Sequence, residues 1–314
     1  LRYNILKCKW KKKIVVIIGG RGIGDLIYHL PLLKSLYKSF GEKIYIISNK
    51  INQSKEVFKN EIFYEKIIEF DNHRFGFFKT IKNIFVFKKK INDIKPKYIF
   101  LTSNTSRLVL PVLLSNAEKK YIIGNKNFIF NKDKSSQNLT FSQKILKFTK
   151  DLKLSKKVFS FSLNNQNFKI NKKSKKKIFM VIDSHHDQNN WPTENFIEII
   201  KKLIKKNLIY INFSPNKKYL LENFPLEIRK SKNIEFTYKK KISEIIDIIY
   251  SCNIVIGNET GPICLGSALQ KKIHAIYTPL HTLPESKIIN KKNTYYNTYR
   301  YKPEIIVKKI LNSI

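Results

Sequence analysis

The 314-residue sequence lacks a long apolar run and has few cysteines. The early apolar run at residues 14–18 is far shorter than the roughly 20 residues that span a bilayer. It follows lysines, as in a signal peptide, but the glycine-rich loop after it is typical of a Rossmann-like unit. The three cysteines, Cys8, Cys252 and Cys264, are widely spaced, which argues against a disulfide framework and a zinc site. We therefore expect a soluble cytoplasmic protein without a metal.

Acidic residues are also scarce: 61 Lys and Arg face 23 Asp and Glu, for a net charge of +38. Such a charge favours nucleic-acid binding, because basic surfaces release counterions from phosphates. The excess is almost entirely lysine and is spread from Lys7 to Lys309, whereas arginine, the better base and phosphate reader, is scarce. The same charge would attract anionic lipid head groups, or it reflects an AT-rich genome. Charge alone leaves these explanations open.

The hydrophobic pattern, in contrast, indicates a packed α/β protein. Hydrophobic residues make up 42% of the chain, and its length suits two domains. Strand and helix patterns alternate, pause in a polar lysine-rich stretch at 164–177, and restart. We predict two Rossmann-like α/β domains facing each other across a cleft, at residues 1–165 and 166–314, with the last helix able to pack back on the N-terminal domain. Predicted strands cover residues 14–18, 43–47, 66–70, 98–102, 121–123, 178–182, 209–213, 254–256 and 273–277, and predicted helices cover 25–40, 78–92, 142–152, 193–206, 242–251, 262–269 and a final one from Pro303.

A glycine-rich loop follows the first predicted strand. It contains Gly20, Gly22 and Gly24, and Asp25 stands where the first helix begins. Glycines let a backbone turn sharply and approach a ligand, and the helix dipole stabilises a carboxylate at this end. Taken alone, the loop favours Asp25 as a simple helix cap, because aspartate is a common capping residue.

A second loop, at residues 183–192, follows the first strand of the second half, where open α/β sheets bind ligands. His185, His186 and Asp187 suggest a metal site, but adjacent histidines rarely converge on an ion without a distant partner. Trp191 and Pro192 are interpreted as a packing anchor and a helix start.

A third segment, at residues 257–269, runs from a β-branched strand through a Gly/Thr loop into a helix of small residues. Backbone N–H groups and the Thr260 hydroxyl at this helix start would form an anion site. A capped strand–helix junction would look similar, but the small residues favour close approach to another element or a ligand.

In this order, the three segments resemble glycosyltransferase family nine, the heptosyltransferases of lipopolysaccharide inner-core assembly, which have the GT-B fold. Gly24-Asp25 and His29-Leu30-Pro31 match the family's first motif. Residues 184–196 match its polar loop with Trp-Pro, and residues 259–269 match its late motif in part.

The resemblance implies an inverting, metal-independent glycosyltransferase with no cofactor. It would move heptose from a nucleotide-diphosphate donor, ADP-heptose first, to an anionic lipopolysaccharide-type glycolipid at the inner face of the cytoplasmic membrane. Asp25 would be the general base that deprotonates the acceptor hydroxyl, beside the acceptor-side glycines Gly22 and Gly24. Thr260 and Gly261 would hold the donor diphosphate. The other donor-binding residues that it implies are Ser184, His185, Asn189, Glu259, Pro262 and Cys264.

Three of these positions depart from the family pattern. Asn189 stands where members usually have a phosphate-contacting lysine, Cys264 replaces a histidine and Glu259 replaces an aspartate. The acidic residue that commonly holds the donor ribose has no match at residues 214–218, whereas Lys217 is a candidate replacement cation, as are the two histidines of the second loop.

These departures leave two alternatives open. The first is a catalytically inactive glycosyltransferase-like binding or scaffold protein, against which the retained Asp25 argues. The second is a nucleic-acid-binding protein, which rests on the charge alone.

Overall fold

The computed structural model describes residues 13–20, 22–71, 77–123, 139–164, 175–184, 190–277, 290 and 293–314. The first half of the chain alternates strands and helices and forms one parallel sheet. Its strands are β1 (Ile14–Ile17), β2 (Ile44–Asn49), β3 (Tyr64–Phe70), β4 (Tyr98–Leu101) and β5 (Lys119–Ile122). Its helices are α1 (Ile23–Phe40), α2 (Ser54–Val57), α3 (Phe77–Ile94), α4 (Ser106–Leu113) and α5 (Phe141–Asp151).

The second half repeats this alternation around a second parallel sheet. Its strands are β6 (Lys176–Val181), β7 (Asn207–Asn212), β8 (Ile234–Phe236), β9 (Ile254–Asn258), β10 (Lys272–Tyr277) and β11 (Thr294–Asn297). Its helices are α6 (Thr193–Leu203), a 3₁₀ helix (Pro215–Asn223), α7 (Leu226–Arg229), α8 (Ile242–Ser251), α9 (Gly261–Ala268) and α10 (Pro303–Leu311).

Both sheets have the strand order of doubly wound α/β folds. The first is ordered β3-β2-β1-β4-β5 and the second β11-β10-β9-β6-β7-β8, and every paired strand is parallel. Strands covered on both faces should be continuously apolar, and β1 is buried at all four positions. On one face, Val15 and Ile17 pack with α3 and α4, while Ile14 and Val16 face α1 on the other. The predicted α/β fold class is confirmed.

The structure also corrects the predicted elements. The helix α4 and the strands β8 and β11 were not predicted, because each is short and α4 contains Pro111, which normally breaks a helix. The final helix does not pack on the first sheet in the described contacts. Instead α10 packs on α6, and Ile306 and Ile310 are buried in the core of the second sheet. The predicted boundary at 165/166 lies outside the described residues.

The connection after α5 is bonded to both halves. Ser35 Oγ accepts a hydrogen bond from the Val158 backbone N–H at 2.7 Å, and Ser39 Oγ donates to the Lys156 carbonyl at 2.7 Å, so this segment runs along α1. Farther on, the Leu163 N–H donates to the Ala268 carbonyl at the end of α9, at 2.9 Å. The connection therefore joins α1 to α9 before it reaches the second sheet.

Among the described helices, none combines the length and the apolar composition that crossing a bilayer requires.

Candidate active site

The starts of α1 and α9 meet between the two sheets. A Cβ added to Gly261 would lie 3.1 Å from Ile23 Cβ, and one added to Gly24 would lie 3.3 Å from Cys264 Sγ. Glycine therefore allows the two helices to cross this closely. The Tyr28 hydroxyl and Cys264 Sγ, 3.2 Å apart, add a hydrogen bond at the same crossing. The small residues of the third segment thus serve close helix approach, as predicted.

Asp25 lies in the first turn of α1 and turns back over the glycine loop. Its Oδ2 accepts a hydrogen bond from the Gly22 N–H at 2.8 Å, which is a helix-capping contact. A Cβ on Gly20 would overlap the carboxylate, so the loop needs glycine there to hold this side chain. The capping interpretation is therefore confirmed, and the same carboxylate also borders a cavity.

This cavity of about 1000 Å³ lies in the first half, between the carboxyl ends of β4 and β5 and helix α5. Near Asp25 its wall is polar, with Thr102, Ser103 and Asn104. Its floor is aromatic, and includes Phe100 and Tyr121, whose rings stack 4.8 Å apart. Helix α5 contributes a further wall, which contains Phe141, Lys144, Lys147 and Phe148.

His29 is a buried strut beneath Asp25. Its Nδ1 bonds to the Asp25 backbone carbonyl and its Nε2 lies 2.6 Å from Thr102 Oγ1. Burial lowers the pKa of His29 to about 4, so the ring is neutral at pH 7. A neutral ring beside a carbonyl carries its proton on Nδ1. Thr102 Oγ1, which Nε2 contacts, donates its own hydrogen bond to the Ile17 carbonyl at 3.0 Å. His29 therefore fixes α1 to the end of β4 and is not a proton donor to substrate.

The start of α9, unlike that of α1, is not capped by a side chain. Thr260 is the N-cap residue, but its hydroxyl donates to the Asn258 carbonyl at 3.2 Å and caps no N–H of the helix. Pro262 has no N–H, so the first helical donors are Gly261 and Ile263. The Thr260 hydroxyl is thus bonded to the end of β9, and its part in an anion site stays a prediction. Glu259 is half-buried beside Thr260 and donates its N–H to the Ile276 carbonyl at 3.0 Å.

The second loop is held from two neighbouring strands. The Ser184 N–H donates to Asn190 Oδ1 at 2.6 Å, and its carbonyl accepts from Lys217 Nζ at 2.8 Å. Lys217 is buried at a kink in the 3₁₀ helix after β7. Lys217 was predicted only as a candidate replacement cation. In the structure its amine bonds to Ser184, a residue predicted to bind the nucleotide-sugar donor. His185, His186, Asp187 and Asn189 lie outside the described residues.

Asn258 was not predicted as part of the candidate site. Its Oδ1 accepts from the Trp191 N–H at 3.0 Å, and its Nδ2 donates to the Ile182 carbonyl at 2.9 Å. The buried amide thus ties the end of β9 to both ends of the second loop. Trp191 itself is buried against Phe196 with its ring centre 5.0 Å away, which confirms its predicted role as a packing anchor.

The strand pairing brings these loops to one edge of the second sheet. Val181 pairs with Gly257 on β9 and with Asn212 on β7, so the three strands end at the same level. Adjacent strands lie about 4.8 Å apart, which makes the Ser184 loop a neighbour of both the Thr260 loop and Lys217. Within the described ranges, no three His, Cys, Asp or Glu side chains are grouped as metal ligands would be.

Comparisons with solved structures agree with this fold. The chain is similar in structure to the E. coli heptosyltransferase WaaC solved with ADP, with a TM-score of 0.75 and 14% identity over 96% of this chain and 100% of that one. It is also similar to a family 9 glycosyl transferase from Veillonella parvula DSM 2008, with a TM-score of 0.73 and 16% identity over 97% and 90% of the two chains. The third similar structure is the E. coli ADP-heptose lps heptosyltransferase II, with a TM-score of 0.72 and 14% identity over 96% of this chain and 98% of that one. At these identities the likeness establishes the fold, which is GT-B. No match was found among the curated proteins.

The family itself is established by sequence. The model of glycosyltransferase family 9 (heptosyltransferase) matches residues 118–310, which is more than half of the chain and includes the second loop, Asn258 and the whole of α9. By this match, and in agreement with its GT-B fold, the chain belongs to glycosyltransferase family 9, the heptosyltransferase family.

Proposed function

We propose that the protein transfers a sugar, heptose first, from a nucleotide-diphosphate donor to an anionic glycolipid of the lipopolysaccharide type, with inversion. Family membership supports the reaction class. The observation that carries the proposal is the close crossing of α1 and α9 at Gly24 and Gly261, because it brings the helix start that contains Asp25 against the start of α9.

In the proposed reaction, Asp25 is the general base. The acceptor hydroxyl oxygen attacks the anomeric carbon from the face opposite the diphosphate, and Asp25 takes the hydroxyl proton. The bond from the anomeric carbon to the diphosphate oxygen breaks, and its electron pair leaves with the nucleoside diphosphate. A sugar hydroxyl needs such a base because it is a weak nucleophile while protonated.

The start of α9 would stabilise the leaving diphosphate. The N–H groups of Gly261 and Ile263 and the positive end of the helix dipole favour an anion there. Thr260 would contribute its hydroxyl after exchanging its bond to the Asn258 carbonyl. The proposal needs no metal and no cofactor. The flanking donor contacts proposed for this site are Ser184, His185, Asn189, Glu259, Pro262 and Cys264.

The cavity beside Asp25 supports an acceptor with both charge and bulk. Lys144 and Lys147 on its α5 wall suit an anionic group, and the stacked Phe100 and Tyr121 suit the face of a sugar ring or an apolar portion. Such an acceptor belongs to a membrane, so we also propose that the protein works in the cytoplasm, against the inner face of the cytoplasmic membrane.

The first test is calorimetric titration of the protein with ADP, UDP and GDP. ADP is the leading nucleotide because WaaC was solved with it. We expect saturable ADP binding that Asp25→Ala leaves unchanged, since Asp25 lies on the acceptor side. Binding of UDP or GDP alone would keep the transferase and replace the donor.

A non-catalytic binding protein is the second candidate. The observation that favours it is the composition of the donor site, where Asn189 replaces a lysine and Cys264 a histidine of the family pattern. It predicts no transfer from ADP-heptose to a lipopolysaccharide-type acceptor even when ADP binds. Turnover that is lost in Asp25→Asn would contradict it.

A further inference from the structure

Helices α3 and α4 cover the face of the first sheet that points away from α1. Their inner sides are buried: Phe87 and Ile91 of α3, and Leu108 and Val112 of α4, pack on the sheet. The two helices also contact each other. The described contacts between the two halves use α1 and α2 against α9 and α8, so the second half does not cover α3 and α4 there.

The outer sides of these two helices are unusually apolar. Large hydrophobic side chains that are exposed number thirteen in the described part of the chain, and six of them lie on α3, α4 or the residue that ends α4. The largest exposure on α3 is 57%, at Phe85, and the largest on α4 is 43%, at Leu110. Contiguous exposed apolar surface marks an interaction site in soluble proteins. We call this surface the α3–α4 face; its apolar members are Ile81, Phe85, Val86, Leu110, Leu113 and Leu114.

Lysines alternate with the apolar side chains on α3. Residues four apart share one side of a helix, so Ile81, Phe85 and Lys89 form one exposed row, and Lys82, Val86 and Lys90 form the next. The sequence of α3 contains five lysines and a single acid, Asp93, in its last turn. The acid near α4, Glu118, is paired with Lys97 at 3.2 Å. The face is therefore apolar and positively charged at once.

We propose that the α3–α4 face docks on the surface of an anionic lipid bilayer. Apolar side chains enter the boundary between head groups and acyl chains, while lysines on the same helix reach the anionic head groups. Long lysine side chains can lie along apolar surface and keep their amines in the head-group layer. The charge of the whole chain, +38, favours the same partner.

Charge complementarity selects the bilayer over a second copy of the chain. A symmetric contact through this face would bring two lysine-rich surfaces together, and like charges oppose that contact. Anionic head groups neutralise all of them.

The placement also suits the proposed function, on which the identity of the acceptor rests. A helix that follows a parallel strand begins at the carboxyl edge of the sheet, so α3 begins at the edge where Asp25 lies. Ile81 and Phe85 are in the first half of α3. Docking through them brings this edge close to the bilayer, where a lipid-linked acceptor would be found.

The test measures co-sedimentation of the full chain with two vesicle types, phosphatidylcholine alone and phosphatidylcholine with phosphatidylglycerol. We expect binding to the anionic vesicles only. The double variant Phe85→Ser, Leu110→Ser should reduce the partition coefficient at least tenfold. A matched double variant in the second half, Tyr219→Ser, Leu226→Ser, removes side chains of similar exposure and should bind as the native chain does.

Lysine variants separate this face from diffuse charge. Lys82→Gln, Lys89→Gln, Lys90→Gln should lose most vesicle binding. The control, with exposed lysines of the second half changed (Lys205→Gln, Lys206→Gln, Lys232→Gln), removes the same charge and should lose little. Equal loss in both triple variants would overturn the proposal, as would native binding by the apolar double variant.

Three further measurements keep the outcome decisive. In Phe85→Trp, tryptophan emission should shift to the blue on anionic vesicles, and in Tyr219→Trp it should not. Sedimentation velocity without vesicles should give a monomer; a dimer that Phe85→Ser, Leu110→Ser dissociates would replace the bilayer by a second copy. Asp25→Asn should bind vesicles normally, so failure of the transfer reaction and failure of docking are distinguishable.

Discussion

The two helix starts that meet at the crossing are built in opposite ways. In α1 the Asp25 carboxylate returns to the Gly22 N–H, so that helix start carries its own anion. In α9 the Thr260 hydroxyl turns to the strand behind it and leaves the helix start to the N–H groups of Gly261 and Ile263. The first arrangement suits a base that accepts a proton, and the second suits a site that accepts an anion. One fold, used twice, thus presents a carboxylate at one helix start and backbone N–H donors at the other.

The largest effect should come from removing the anion of α1 without disturbing its geometry. Asparagine at position 25 can still accept the Gly22 hydrogen bond through Oδ1, but it cannot take a proton. In Asp25→Asn we expect the transfer rate to fall by about 10²–10⁴, while the Kd for the donor nucleotide stays the same. Rapid-quench transfer assays and calorimetry measure the two quantities. A rate within threefold of the native one would remove Asp25 as the base.

Each half also buries a histidine, which makes the protein sensitive to acid. Burial lowers the pKa of His29 and of His274 from 6.5 to about 4. Between pH 6.5 and pH 4 these histidines are protonated in the unfolded chain but neutral in the folded one. The free energy of unfolding is therefore highest above pH 6.5 and decreases as the pH falls to 4. Each histidine accounts for about 3 kcal/mol over this window.

Urea unfolding at pH 7.5 and at pH 4.5 tests this expectation. His274 bonds to the Tyr296 hydroxyl and Ser313 Oγ, both at 2.9 Å, so His274→Gln keeps a polar side chain there without the titration. In this variant the free energy of unfolding should differ less between pH 7.5 and pH 4.5 than it does in the native protein. Unchanged pH dependence would mean that this histidine is not the buried titrating group.

A smaller effect, on ADP affinity, should distinguish Lys217 from its neighbour Lys218. In Lys217→Met we expect the Kd for ADP to rise about tenfold, or about 1.4 kcal/mol, because the amine at Ser184 lies among the proposed donor contacts. Adenosine binding should not change, since it has no phosphates, and Lys217→Arg should restore part of the ADP affinity. The neighbouring exposed lysine gives the control, Lys218→Met, with native affinity. Equal loss of ADP and adenosine binding would indicate a purely structural lysine.

The smallest effect should come from the crossing itself. In Gly261→Ala the new Cβ must be accommodated 3.1 Å from Ile23 Cβ, which should reduce the free energy of unfolding by about 1 kcal/mol. Gly24→Ala meets Cys264 Sγ at 3.3 Å and should cost less. Thermal melts of the two variants give the comparison, and the reverse order would mean that the crossing is looser on the α9 side.

The sequence predicted the elements that repeat a regular pattern. α8 was predicted with its observed ends, and the buried strands β1, β6 and β10 were placed within two residues. The short elements escaped because three or four residues carry no period, as in β8 around Glu235. The site followed the same rule. Asp25 and Gly261 lie in local motifs, whereas the clamp from Asn258 to Trp191 joins residues 67 positions apart, and no local pattern records such a pair.

The bonded connection after α5 has a consequence for recombination between relatives. Residues 152–164 fit the surface of α1 through Ser35 and Ser39 and fit the end of α9 through Leu163. We call this segment the strap. In a hybrid enzyme joined just after α5, the strap and α9 would come from one parent and α1 from the other, so the strap would no longer fit α1. The inheritable module is therefore larger than one sheet with its helices: α1, the strap and α9 must come from the same parent, whichever acceptor or donor is being exchanged.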